Sequence, residues 1–220
     1  MIKVTLVSYT QWNPELDDII DTDNPEHITA TGKRICQSGQ ELDEIIREWD
    51  KIDARNIASL NPQNPKRAHM GVFEHISFTF LIEGASRVMS HQLVRHRIAS
   101  YLQMSQRAVP MNKVELVIPP SIPEDMKEKF YSAKINCYNV YKELKDANVP
   151  IEDARFIMPH GMETRVWMTI NARSLMHFFK ERLTNPGAQW EIKEVAKQMH
   201  ELVIKVCPTI FNMKYAEAWE

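Results

Sequence analysis

Arg95-His96-Arg97-Ile98-Ala99-Ser100-Tyr101-Leu102-Gln103-Met104-Ser105-Gln106-Arg107 is the stretch whose reading decides the rest. Ahead of it, Gly84 to Val94 has the spacing of a short helix. From Ser100 the period changes to two: Leu102 and Met104 fall on one side of an extended strand, and Gln103, Ser105 and Arg107 on the other. The stretch contains no carboxylate. Its second side offers an amide, a hydroxyl and the planar fork of a guanidinium, which suits an anionic, hydrogen-bonding ligand. A solvated basic face is the ordinary alternative. Like charges this close repel unless an anion sits among them, and the interleaved apolar residues should anchor the stretch to a core.

Outward from there, strand and helix patterns alternate on both sides. Ile76, Phe78, Phe80 and Ile82 share one face of a predicted strand over 73–82, with His75, Ser77 and Thr79 opposite. Thr164, Val166, Met168 and Ile170 alternate in the same way, residues 1–10 read as a strand, and Val114 to Ile118 is a further candidate. Asn24-Pro25 opens a helix that ends near Gly39. Leu42, Ile45, Ile46, Trp49 and Ile52 recur at helical spacing, predicting one helix over 41–59. Asn61 to Pro65 is a loop by its turn residues. Ser121 to Ala147 predicts a long helix and Pro150 to Met158 a short one. Asn171 caps a helix running to about Leu183, and Gln189 to Val206 is the last. The expected fold is α+β: a single domain over 1–220, with an antiparallel or mixed sheet packed against several helices.

With 220 residues the chain can bury one substantial core, and a formal charge of −2 gives no global field favouring nucleic acid or membrane. No apolar run approaches the length that spans a bilayer, and the N-terminus lacks a signal-peptide pattern. Cys36, Cys137 and Cys207 are far apart with no paired spacing, which argues for free thiols and a cytoplasmic setting. Six glycines and no glycine-rich phosphate motif disfavour that mode of nucleotide binding.

Arg-His-Arg, seven residues, then Ser, from Arg95 to Ser105, resembles the signature of the flavin-dependent thymidylate synthases. Phe73-Glu74-His75, Asn171-Ala172-Arg173-Ser174-Leu175 and Ala188-Gln189-Trp190-Glu191 follow in that family's order and roughly its spacing. The resemblance covers about residues 65–210. It implies conversion of dUMP to dTMP by reductive methylation. Methylenetetrahydrofolate would give the one-carbon unit, FAD would carry the hydride and NADPH would be the reductant. It also implies a homotetramer with shared active sites, and no cysteine nucleophile.

The resemblance further implies roles at particular positions. Gln92, Arg95, Gln103, Ser105, Gln106, Arg107 and Arg155 match dUMP-binding positions, with Ser105 and Arg107 taking the phosphate. Arg95, His96, Arg97, Gln103, Asn171, Arg173, His177 and Glu74 match flavin-binding positions, and His69 lies near flavin and folate. Arg182 matches an arginine set against the uracil ring, where it would stabilise a ring anion. Read from pattern alone, Arg182 continues the apolar stripe of Leu175, Phe178 and Phe179. There it either snorkels to solvent or points into a polar pocket. Glu74 could equally be a strand-edge charge, His75 a core histidine and His177 a surface residue. The chain departs from the family at Gly71, where a hydroxyl is common, at His177, where relatives often carry Asn, and at Pro186-Gly187.

Two other classes fit less well. His69 and His75 are six apart and His91 and His96 five apart, without the helical pairing or cysteine of a zinc site. An RNA-binding module could use the basic stretch with Tyr101 for stacking, but its charge is local and no RNA-binding motif appears.

Overall fold

The computed structural model describes residues 1–16, 24–61 and 68–219. Among the described residues four strands are formed: β1 (Lys3–Tyr9), β2 (Ser77–Ser86), β3 (Ala99–Gln103) and β4 (Glu163–Asn171). The helices are α1 (Glu26–Ile35), α2 (Leu42–Ile46), α3 (Ile52–Leu60), α4 (Arg87–Leu93), α5 (Glu124–Asp146), α6 (Ile151–Ala154), α7 (Ala172–Phe179) and α8 (Trp190–Val203). The sheet order is β1-β2-β4-β3, which leaves β1 and β3 at the edges. Thr10 N–H meets Ser77 O, Ala172 N–H meets Ile76 O, and the Thr79 and Thr169 hydroxyls pair at 3.0 Å, so these neighbours run antiparallel. The fold is α+β, as expected.

The chain divides into two compact units. The first holds Met1–Lys3, Ile82–Arg95 and Tyr101–Trp167; the second holds Val4–Leu81, His96–Ser100 and the residues from Met168 onward. Met111, Val114, Leu116, Tyr141, Met158 and Met162 form a core cluster in the first unit. The second is built on aromatic packing: Phe179 meets Phe211 and His200 edge-on, and Trp219 closes over them. Alternation did its work in β2 and β4, where Phe78, Phe80, Ile82, Val166 and Met168 are fully or almost fully buried.

Several expectations are corrected. The stripe over 41–59 is not one helix: it breaks into α2, a 3₁₀ turn over Trp49–Lys51, and α3. Glu48 stands at the break and gathers Lys51 at 2.7 Å together with Arg55. After the break α3 turns Asn56 inward, where its amide donates to Glu26 O and its carbonyl accepts from the Thr29 hydroxyl. The strand expected over 73–82 starts at Ser77, after a 3₁₀ turn over Met70–His75. Gly84–Ser86 belong to β2 and not to the helix that follows. Gly84 has a φ of 70°, and a Cβ there would run into the carbonyl oxygen of Met1, so only glycine fits. Val114–Ile118 forms no strand beyond a single bridge, Leu116 to Met162. The expected loop over 61–65 lies, beyond Asn61, outside the described residues.

The largest correction concerns the opening stretch. Extended structure stops at Gln103, so Ser105 and Arg107 do not continue its row. Met104 N–H still reaches Arg165 O at 2.9 Å, and the backbone then turns, with Val109 N–H on Ser105 O at 3.1 Å. Nor do the apolar residues of the stretch anchor it: Ile98 and Leu102 are each 72% exposed. The reason is topological. An edge strand lacks a neighbour on one side, and period-two alternation cannot tell an edge from a centre.

Candidate active site

In the second unit the expected flavin residues gather around α7. Asn171 accepts the Ser174 N–H at 2.8 Å, capping the helix as its sequence predicts. Arg173, in the first turn, reaches back to Glu74 at 2.7 Å, so the charge of the Phe-Glu-His motif is paired rather than idle. His177 lies exposed one turn further on. At Lys180–Thr184 the helix widens into a π-turn carrying Arg182. Such a turn rotates the side chains after it and recurs at functional sites. Arg182 is half-buried, and its Nε–H donates to His96 Nε2 at 3.1 Å. That nitrogen must therefore carry a lone pair, with the ring proton on Nδ1. His96 is held edge-on by Phe178, with ring centroids 4.9 Å apart, and lies 6.0 Å from His177. Thus Arg182 neither runs out to solvent nor enters the apolar core; an imidazole receives it. Arg97 is exposed beside His96 in sequence. His69 is exposed and stands at the start of the 3₁₀ turn, its backbone N–H on Ser59 O at 2.8 Å.

In the first unit the expected nucleotide residues lie on α4, β3 and the turns after them. Gln92 is half-buried on α4 and Arg95 is exposed just past its end. The Gln103 amide donates to Ser90 Oγ at 2.9 Å and Thr164 Oγ1 at 3.1 Å, which ties β3 to α4 and β4. Ser105 Oγ accepts the Arg107 N–H at 3.2 Å; both side chains are exposed, while Gln106 between them is buried. The Tyr101 hydroxyl donates to Leu93 O at 3.0 Å, and burial pushes it up to about 12. Its protonated hydroxyl thus holds the ring in place, a poor arrangement for stacking on a base.

A pocket of about 230 Å³ opens in this unit, lined by Arg87, His91, Gln106, Arg155 and His160 among others. Gln106 and Arg155 were expected in the site; Arg87, His91 and His160 were not. No motif marks these three. His160 is brought to α4 by backbone bonds alone, Arg87 N–H to Met162 O at 3.0 Å and Val88 N–H to His160 O at 3.2 Å. Helical spacing could have paired Arg87 with His91, four residues on, but not with His160.

The cysteines are free thiols: Cys36 is exposed, Cys137 half-buried and Cys207 buried. Burial, with the Glu26 carboxyl nearby, pushes the Cys207 thiol well up, the reverse of what activates a nucleophile. Among the described residues, no group of three or more His, Cys, Asp or Glu comes together to hold a metal ion, and no helix is long and apolar enough to cross a membrane.

Comparison with known proteins now bears on these arrangements. A family profile described as thymidylate synthase complementing protein matches residues 18–209. A flavin-dependent thymidylate synthase of Geobacter sulfurreducens is 44% identical over 195 residues, covering 87% of this chain and 82% of its own length. Another, from Clostridium tetani, is 35% identical over 229 residues, covering 96% of this chain and 86% of its own. Among solved structures, the UMP/dUMP methylase PolB of Streptomyces cacaoi bound with 5-Br dUMP superposes with a TM-score of 0.77. That alignment covers 100% of this chain and 98% of PolB, at 21% identity, and so speaks for the fold alone. With the profile running through most of its length, the chain belongs to the thymidylate synthase complementing protein family.

Proposed function

We propose that the protein is a flavin-dependent thymidylate synthase. It would convert dUMP to dTMP with methylenetetrahydrofolate as one-carbon donor, FAD as hydride carrier and NADPH as reductant. One observation carries this reading. Motifs far apart in sequence converge in the second unit, with Arg173 on Glu74 and Arg182 on His96, beside His177.

The chemistry follows from these groups. Arg182 stays protonated, so it cannot act as a base, but it can stabilise negative charge that develops on a uracil ring. His96 occupies its Nε–H and fixes the plane of the guanidinium, so a ligand meets the terminal nitrogens. Gln92, Arg95 and Arg155 of the first unit would hold the nucleotide, with Ser105 and Arg107 on its phosphate and the Gln103 carbonyl oxygen turned to the base. The polar residues around α7 fit a flavin: Arg97, Arg173, His177 and Asn171 can meet a group rich in carbonyl, ring-nitrogen and phosphate acceptors. Arg95 and Gln103 would serve both ligands, and His69 would stand near flavin and folate. FAD, when bound, supplies redox chemistry that no side chain here can provide.

We take the whole chain as one functional domain, since the matched residues 18–209 run through both units. A homotetramer with shared sites is favoured by large apolar side chains left exposed, among them Ile98, Leu102 and Phe156. Free thiols suit a cytoplasmic enzyme. The reading is tested by tritium release from 5-tritiated dUMP. Release should require FAD, methylenetetrahydrofolate and NADPH together; protein that binds flavin yet releases no tritium under any combination would refute it.

A further inference from the structure

Another pocket, of about 500 Å³, lies wholly within the second unit, between α1 and the segment from Glu48 through α3. None of the residues proposed for nucleotide, flavin or folate lines it. Lys33 and Arg34 come from the last turn of α1, while Lys51, Ala54, Arg55 and Ala58 recur at three- and four-residue steps along one face of α3 and its cap. The one carboxylate of the lining is Glu48. It is already engaged: Lys51 meets one oxygen at 2.7 Å, Arg55 meets the other, and Arg34 stands 4.0 Å away. Lys33 finds only a backbone acceptor among the described residues, Arg55 O at 3.3 Å. Four cations against one carboxylate leave a net charge of +3 on the lining. Burial, and then Arg55, hold the Lys33 ammonium below its ordinary range; burial, and then Arg34, do the same to the Arg55 guanidinium. Helix dipoles account for half of the cluster. The last turn of α1 favours Lys33 and Arg34, but Lys51 and Arg55 stand at the start of α3, where the dipole repels a cation. Asp53, the acid of that first turn, is held elsewhere by the Thr209 hydroxyl at 2.7 Å. An anion in the pocket would relieve all of these charges together.

We propose that this pocket between α1 and α3 binds a linear polyphosphate, the phosphoryl chain of a nucleoside polyphosphate or of an inorganic one, at a site separate from the active site. Guanidinium forks and ammonium groups both suit phosphoryl oxygens, and a run of phosphoryl groups brings several negative charges to a lining that lacks them. Ala54 and Ala58 put only methyl groups on the floor. At about 500 Å³ the space falls within the range of roughly 300–1,000 Å³ usual for a whole organic ligand, so it can take the chain together with a group attached to it. The site stands on its own residues and needs none of those in the enzymatic reading.

Titration calorimetry of the full chain with sodium tripolyphosphate tests the site, with FAD and dUMP present so that the active site is closed to the probe. One equivalent should bind. Affinity should fall from tripolyphosphate to pyrophosphate to orthophosphate, and should fall as sodium chloride is raised. Lys33→Gln/Lys51→Gln should weaken tripolyphosphate by about a hundredfold, about tenfold for each charge removed, while the melting temperature stays near that of the parent. Glu48→Gln should tighten it by about tenfold, a change of sign that damage to the fold would not produce. ATP that binds at least about tenfold tighter than tripolyphosphate assigns the site to a nucleotide; equal affinity assigns it to the bare chain. Tripolyphosphate that does not bind, that binds the double variant as tightly as the parent, or that FAD or dUMP displaces would overturn the proposal. So would citrate bound as tightly as tripolyphosphate, since the pocket would then be one for carboxylates. No step of this test reads turnover, so its failure leaves the enzymatic reading untouched.

Discussion

Arg182 shows what a single side chain can and cannot reveal before folding. Its place on an apolar stripe left two fates open, solvent or a polar pocket, and in the structure its Nε–H meets a polar acceptor 86 residues away, His96. Arg182→Ala should cut turnover by about a hundredfold or more, as loss of a transition-state donor does, while flavin absorbance of the purified protein stays near normal. His96→Ala should lower turnover too, and His96→Gln, whose carbonyl can still receive the guanidinium, should recover part of it. A second prediction concerns Glu26. Its Oε1 accepts the N–H groups of Thr209 and Ile210, each at 2.8 Å, while its buried Oε2 has no partner among the described residues. Burial raises its carboxyl from 4.5 to about 7, with Asp53 adding a little and the two backbone bonds opposing. The folded state thus holds a proton that the unfolded state releases between those values. Stability falls as pH rises through that window and is level above about 7. The loss is on the order of 3 kcal/mol for a shift of this size. Glu26→Gln should therefore match the parent near pH 4.5 and melt at higher temperature at pH 8, by calorimetry.

At the scale of elements, regular alternation and capping were legible in the residues, and departures from regularity were not. β2 and β4 carry apolar side chains every second position because one face is fully covered, and that pattern is local. The cap at Asn171 is local as well; Asn171→Ala should cost about 1 kcal/mol of stability, read from denaturant midpoints, and should lower flavin affinity with it. By contrast, the break at Glu48 depends on Lys51 and Arg55 converging on one carboxylate and on Asn56 turning toward α1. Gly84 holds β2 extended where helical spacing seemed to begin, because its backbone meets Met1. The π-turn at Lys180–Thr184 left no sign, since an i+5 step is indistinguishable from the i+4 pattern over five residues. The candidate site divides in the same way. Contiguous motifs make their residues candidates from the chain alone, whereas Arg87, His91 and His160 line one pocket only because two backbone bonds fasten a distant turn to α4.

At the scale of the molecule, β3 is the element whose sequence and surroundings disagree most. It lies at an edge of the sheet with Leu102 72% exposed, and Ile98, equally exposed, precedes it. In a homotetramer such side chains find cover. If the proposed homotetramer uses this edge, Leu102→Asp should reduce the mass seen by light scattering from that of four 25.7 kDa chains toward one, with secondary structure by circular dichroism unchanged. A mass that stays fourfold would place the contact elsewhere. The same edge has a practical corollary. A lone subunit would offer an open backbone seam flanked by greasy side chains, the usual seed of precipitation. Thinning the solution, ordinarily the safe course in handling a protein, would then be the hazardous one, and losses at low concentration would be a symptom of parted subunits rather than of unfolding.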